Sequence, residues 1–250
     1  MIEITSRQNQ IIKDVRKLMS DRAFRTQKKQ FVCEGIKSFE QALAVGITPV
    51  SVFVDEQQYS RLGKTLDSLT TYLLPAELLE YISGVQACQG IVFVCNIPDI
   101  APDIQKGGKY MILDGISDPG NLGTIMRASA AFGIDRLILT NNCADIYNPK
   151  TVRSTMGAIF GHNCCTMTAE QIARTFQGID ICGAALMETA LDIRQISLEG
   201  CAVVIGSEAR GISGQMQELC NKFFIIPINP GMQSLNAAMA AGIIMWEMSR

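Results

Sequence analysis

The chain reads as an α/β protein of two domains. A small N-terminal α/β domain spans residues 1–97, and a larger one, with a mostly parallel sheet covered by helices, spans 109–250. Three observations predict this. Apolar segments of strand length alternate with segments of helical period along most of the chain. The stretch Asn96 to Gly108, with Pro98, Pro102, Gly107, Gly108 and alternating charges, is the one convincing linker, set at 98–108. The part after it is about 140 residues long, an ordinary domain size.

In order, residues 6–20 form a helix with Ile11, Ile12, Val15 and Leu18 on one face and basic residues opposite. Residues 34–45 form a second helix, Val50 to Val54 a strand, 76–83 a shorter helix and Ile91 to Cys95 a strand. Beyond the linker, strands 110–113, 136–140, 181–186, 201–205 and 223–228 alternate with helices 121–132, 148–161, 169–177, 213–221 and 234–248. The strand from Tyr110 runs into Asp118-Pro119-Gly120, read as a turn in which Pro119 presets φ and Gly120 permits φ > 0. Asn121 is the expected N-cap of a helix with Leu122, Ile125 and Met126 on one face and Arg127 off it. Asn148 and Pro149 open another helix. Its cations Lys150 and Arg153 oppose the helix dipole, which suits an anionic partner or plain surface placement. The last helix is apolar or small nearly all round, so it is buried on both sides, inside its own domain or against a second subunit.

Composition narrows the function. An apolar content of 48% argues against disorder. No apolar run reaches the ~18–20 residues that span a bilayer, and the first residues have no signal-peptide core, so the expectation is a cytoplasmic protein without a membrane partner. The nine cysteines form no Cys-x-x-Cys pair and read as buried, reduced thiols. His162 is the only histidine and reads as a polar loop residue; no metal site is expected. Net charge is −2, yet residues 1–37 carry nine Lys and Arg against four acids, leaving −7 for the remainder. A basic arm on an acidic body fits phosphate-backbone binding through Lys13, Arg16, Lys17, Lys28 and Lys29; the alternative is a solvated helix face.

Three separated segments carry the chemistry: Leu113 to Arg127, Val204 to Ser213 and Ile226 to Asn236. The second has the spacing of a phosphate-binding P-loop but places Ile212 where the lysine belongs, and Glu208 would repel phosphate. A strand-to-loop turn whose Gly206 lets a ligand approach closely fits better. No Gly-x-Gly-x-x-Gly occurs, so the usual dinucleotide fingerprint is missing.

In this order and spacing the three segments resemble the signature motifs of the SpoU (TrmH-like) branch of the SPOUT RNA methyltransferases. Gln30 to Leu43 looks like the start of that family's L30e-like RNA-binding domain, Gln89-Gly90-Ile91 resembles the segment closing it, and the Tyr147 to Phe160 region is similar to a further family element. The resemblance implies a trefoil-knotted, dimeric C-terminal SPOUT domain and methyl transfer from S-adenosyl-L-methionine to a ribose 2′-hydroxyl of RNA, ribosomal RNA ahead of tRNA. Carried over by position, Asn121, Arg127, Glu208, Ser234 and Asn236 are the catalytic set, and Gly206, Ile226 and Leu235 hold the methyl donor. Lys150 and Arg153 join the candidate RNA contacts. A guanidinium seldom gives up its proton, so Arg127 is read as a phosphate clamp and charge stabiliser rather than a plain base. Many relatives carry a further glycine after the second-motif glutamate, where this chain has Ala209-Arg210. The competing readings are base methylation by a SPOUT enzyme, a non-catalytic RNA-binding protein on the same fold, and an unrelated nucleotide-binding enzyme.

Overall fold

A computed structural model describes residues 2–85, 88–100, 103–161 and 164–250; His162 and Pro102 lie outside the described residues. The chain begins with β1 (Ile2–Glu3), α1 (Gln10–Ser20), α2 (Arg22–Lys28), β2 (Gln30–Glu34), α3 (Ile36–Ala44) and β3 (Ser51–Val54). It continues through α4 (Glu56–Leu62), β4 (Thr71–Leu73), α5 (Ala76–Ser83), β5 (Ile91–Asn96), β6 (Tyr110–Asp114), α6 (Pro119–Ala131) and β7 (Arg136–Leu139). Then come α7 (Pro149–Thr155), β8 (Cys164–Thr166), α8 (Ala169–Thr175), β9 (Ile181–Ala184) and β10 (Leu191–Asp192). The last elements are β11 (Ala202–Gly206), α9 (Gly214–Leu219), β12 (Lys222–Ile225) and α10 (Ala237–Met248).

One unit comprises Met1–Asp99 together with Tyr147–Phe160. Its sheet has the order β1-β4-β3-β5-β2, with β5 antiparallel to both neighbours. The predicted face of α1 is the buried one: Ile12, Val15 and Leu18 join Phe53, Leu79 and Val92 in the core. The helix starts at Gln10 rather than residue 6 because Asn9 caps it, its Oδ1 accepting the Ile11 N–H at 2.9 Å. Asp21 ends α1 and caps α2. Arg25 is not a surface cation: it is buried, and its Nη1 donates to the Leu18 carbonyl at the end of α1 at 2.6 Å. Contacts group Tyr147–Phe160 with this first unit, although it lies beyond the linker in sequence. The Tyr147 ring lies 4.8 Å from Phe31 and the Phe160 ring 6.1 Å from Phe93, an apolar anchorage that charge and periodicity do not reveal. Asn148 caps α7 as predicted, but the helix stops at Thr155 because Met156 (φ 51°) and Gly157 (φ 92°) turn left-handed.

The second unit, Ile100–Ile146 with Gly161–Arg250, has a seven-stranded sheet in the order β10-β12-β9-β11-β6-β7-β8, parallel throughout. Every residue of β6 is buried, as a central parallel strand requires. Helix α6 corrects the expected turn. Asp118, not Asn121, is the N-cap, accepting the Asn121 N–H at 2.8 Å, with Pro119 in the first helical turn and Gly120 helical. The positive φ falls earlier, at Gly115 (73°). Leu122, Ile125 and Met126 are fully buried, and Arg127 is exposed. Helix α10 packs on α6 in parallel, since Asn236 meets Asn121 at one end and the Trp246 ring lies 6.1 Å from Phe132 at the other. The expected burial on both sides holds within this chain for one face only. Ala241, Ile244 and Met245 fill the unit's own core, while Met239 and Trp246 are 60% and 58% exposed.

Candidate active site

The carboxyl ends of β9, β11 and β12 open on one cleft of about 440 Å³, where open parallel sheets usually bind ligands. Its walls include Ile205, Phe224, Ile226 and Leu235, and its rim Ser207, Glu208, Arg210 and Ser234. Gly206 ends β11 at the floor. A Cβ there would stand 2.0 Å from the Gly211 carbonyl carbon and 2.3 Å from the Ile212 nitrogen. The glycine expected to admit a ligand therefore admits the returning backbone of its own loop. Gly211 N–H closes that loop on the Ser207 carbonyl at 2.9 Å, and Ser213 N–H donates to buried Asp114 at 2.6 Å. The other Asp114 oxygen accepts from Thr140 Oγ1 at 3.1 Å, so one carboxylate ties the end of β6 to the far end of the loop.

Glu208, held out by this loop, is the centre of a four-group cluster. Its Oε1 accepts from Asn121 Nδ2 at 2.7 Å, Asn236 Nδ2 at 3.2 Å and the Ala237 backbone N–H at 3.0 Å. Asn236 Nδ2 also reaches Asn121 Oδ1 at 3.1 Å, while its own Oδ1 caps α10 through the Ala238 and Met239 N–H groups. A carboxylate at the start of a helix is favoured by the free N–H groups and the dipole. Because Asp118 performs the capping of α6, the Asn121 side chain is free to take part. One residue from each of the three motifs thus meets at one point.

Gly206, Ile226, Leu235, Ser234 and Glu208 all line the cleft. Arg127 does not; it projects from the exposed side of α6 with no hydrogen bond or ion pair among the described residues. Of the N-terminal cations, Lys13, Lys17, Lys28 and Lys29 are exposed, and Arg7 and Arg16 both lie over the Tyr81 ring at 4.6 and 4.8 Å. Lys17 and Lys28 lie over Phe24. Arg153 pairs with Glu34 at 3.3 Å, which explains a cation on α7 without RNA. Asp114 is not among the sequence-predicted site residues, although an acid ending an otherwise apolar strand is a signal for it. All nine cysteines are free. Burial, with Cys201 alongside, pushes the Cys182 thiol up to about 12, and burial with the Asp114 charge nearby pushes Cys220 up to about 11, so both stay protonated and unreactive near neutrality. Among the described residues no group of His, Cys, Asp and Glu could hold a metal ion, and no helix is long and apolar enough to cross a membrane.

Residues 108–246 match the SpoU rRNA Methylase family. The chain belongs to this family. Residues 9–92 match the MRM3-like substrate binding domain. The 23S rRNA (guanosine(2553)-2'-O)-methyltransferase RlmP of Bacillus subtilis is 29% identical over 99% of this chain and 99% of its own length. The AdoMet-bound rRNA methyltransferase from Sinorhizobium meliloti superposes with a TM-score of 0.89 at 27% identity, covering 98% of this chain and 96% of that one. The SpoU methyltransferase AviRb from Streptomyces viridochromogenes, in complex with AdoMet, superposes with a TM-score of 0.85 at 25% identity, covering 96% and 98%.

The cleft fits S-adenosylmethionine. Its volume lies within the roughly 300–1,000 Å³ of small-molecule sites, and Ile226 and Leu235 give it apolar lining of the kind a flat heterocycle packs against.

Proposed function

We propose that this protein methylates a ribose 2′-hydroxyl of ribosomal RNA, with the Glu208 cluster shaping the site and Arg127 serving the reacting hydroxyl. It is an S-adenosylmethionine-dependent RNA methyltransferase of the SPOUT class. The observation that carries the reading is the convergence of Asn121, Glu208 and Asn236 beside the cleft. When bound, S-adenosylmethionine supplies a methyl group on a cationic sulfur, open to in-line attack. The chain's residues must then hold a 2′-oxygen about 3 Å from that carbon, in line with the sulfur, and stabilise charge as its proton leaves to phosphate or water. Arg127, a fixed cation with a planar fork, suits the second task. Glu208 braces Asn121 and the start of α10, so it acts on the shape of the site. The trefoil knot and the cytoplasmic location belong to the same proposal. Incubating the protein with tritiated methyl donor and ribosomal RNA, then digesting to nucleosides, tests it: label in a 2′-O-methylnucleoside is expected, and label in a base would replace it with base methylation.

RNA affinity resides in the basic N-terminal helices. Cations stacked on Tyr81 and Phe24 are held in place before RNA arrives. Replacing Lys13, Arg16 and Lys17 by Ala is expected to raise the RNA dissociation constant and flatten its salt dependence, with S-adenosylmethionine affinity unchanged. An unaltered salt slope would leave these residues as an ordinary solvated surface.

The protein works as a homodimer through the exposed faces of α6 and α10. Arg127 stands outside the cleft of its own chain, and Met239 and Trp246 are large apolar side chains left open. Trp246→Asp should convert dimer to folded monomer in sedimentation at micromolar concentration, because an unpaired charge would be buried in the interface. Asp at Ile244 or Met245, inside the single chain's own core, would unfold it instead. A Trp246→Asp variant that remains dimeric would exclude this face.

A further inference from the structure

The first unit has a cavity of its own, about 290 Å³, at the β2–α3 junction, lined by Glu34, Lys37, Ser38, Cys88, Gln89 and Arg153, with Val85 and Met156 at its edge. Gly35 shapes it: φ is 91°, and a Cβ there would stand 2.9 Å from Gln89 Oε1. Glu34 is the chemically unusual member. One oxygen, Oε1, accepts from Arg153 at 3.3 Å; the other, Oε2, is buried with no hydrogen-bond partner among the described residues. A buried acceptor without a donor is costly, and such an atom in a native protein calls for an explanation. Burial pushes the Glu34 carboxyl up, and the Arg153 charge pulls it back towards the ionised form.

We infer that this cavity takes one unpaired guanine of the RNA substrate, with Glu34 Oε2 accepting from the base's Watson–Crick edge. The inference rests on the RNA methyltransferase reading above. An ionised carboxylate only accepts hydrogen bonds. Guanine presents two adjacent donors, N1–H and the 2-amino group. Adenine and cytosine present one donor beside an acceptor nitrogen, and uracil's N3–H lies between two carbonyls, so each would set a lone pair against the carboxylate. The cavity exceeds a single base in volume, leaving space for part of the ribose. Val85 and Met156 are 37% and 58% exposed, giving apolar surface for a base face, and exposed Lys37 can meet an adjoining phosphate. RNA is read in this way mainly where bases are unstacked and splayed out.

The test uses the full-length protein and octamers of uridine in which one central position carries guanosine, inosine or adenosine, with binding followed by fluorescence anisotropy. The guanosine octamer should bind about tenfold more tightly than the all-uridine one, the effect of one hydrogen bond to a charged group. Inosine, which lacks the 2-amino donor, should lose several-fold, and adenosine should match uridine. Glu34→Gln should abolish the preference for guanosine over inosine while leaving uridine octamer and S-adenosylmethionine affinities unchanged. Equal binding of guanosine and inosine octamers by the wild-type protein overturns the proposal, as does an equal loss for every octamer in Glu34→Gln. If that variant fails to fold, Ser38→Phe, which fills the cavity, must remove the same preference. Methyl transfer to ribosomal RNA is measured on the same preparations. Transfer without a guanine preference rejects the pocket alone, and absence of transfer rejects the enzyme reading.

Discussion

Arg127→Ala should lower methyl transfer by about 10²–10³ at saturating cofactor and RNA, the loss typical of a preorganised donor to developing charge. S-adenosylmethionine affinity and thermal stability should be unchanged. Arg127 is exposed, supports no hydrogen bond or ion pair among the described residues, and lies outside the cleft whose walls are built by β9, β11, β12 and the Ile226 loop. Arg127→Lys keeps the charge but loses the planar fork, so an intermediate rate is expected. The dimer reading adds a sharper outcome. If Arg127 of one subunit serves the cleft of the other, co-expressed Arg127→Ala and Gly206→Ala chains should regain roughly a quarter of wild-type activity, since half of the dimers are mixed and each mixed dimer has one intact site. Recovery at this level places Arg127 in the partner's cleft; two variants that stay inactive together place it in its own. Near-wild-type turnover in Arg127→Ala alone would remove the residue from the mechanism.

How much could be read from residues alone depended on the range of the interaction. Short-range rules worked: α5 lies over the expected residues 76–83, Asn148 caps α7, and the buried stripe of α6 is Leu122, Ile125 and Met126. They failed where two local rules competed. Asp118 and Asn121 are both good caps, and Pro119 decided for Asp118, because proline is at ease in the first turn, where its missing N–H costs nothing. Strands β8 and β10, of three and two residues, are too short to carry a period. The cleft-lining residues were identified through motif resemblance, because Gly206, Ile226 and Leu235 are chemically bland, and no composition argument picks them out. Asp114, and the return of Tyr147–Phe160 to the first unit, rest on contacts distant in sequence. The charge run of residues 1–37 was legible as a sum but not as a surface, since Arg25 is spent on capping α1 from inside the core.

Gly206→Ala should abolish useful S-adenosylmethionine binding, raising its dissociation constant by at least about 100-fold, and should destabilise the fold by about 1–3 kcal/mol, the usual cost of overpacking. The added carbon would sit 2.0 Å from the Gly211 carbonyl carbon, 2.1 Å from its oxygen and 2.3 Å from the Ile212 nitrogen. All three are backbone atoms, so no rotamer change relieves the clash and the loop itself must move. Its exits are anchored, with Ile212 buried and Ser213 N–H held by Asp114 at 2.6 Å, so the displacement falls on residues 207–211. That segment carries Glu208, whose single oxygen gathers Asn121, Asn236 and the start of α10. Methyl transfer should therefore fail even when cofactor is raised to compensate for weak binding, which separates this variant from one that only weakens affinity. Gly214→Ala is the control, because a Cβ there meets nothing within 4 Å; it should change stability by no more than about 0.5 kcal/mol. Calorimetric titration with S-adenosylmethionine checks the pair. Wild-type affinity in Gly206→Ala would mean that the loop tolerates an ångström-scale shift, and the Glu208 cluster would then be no part of what holds the cleft open.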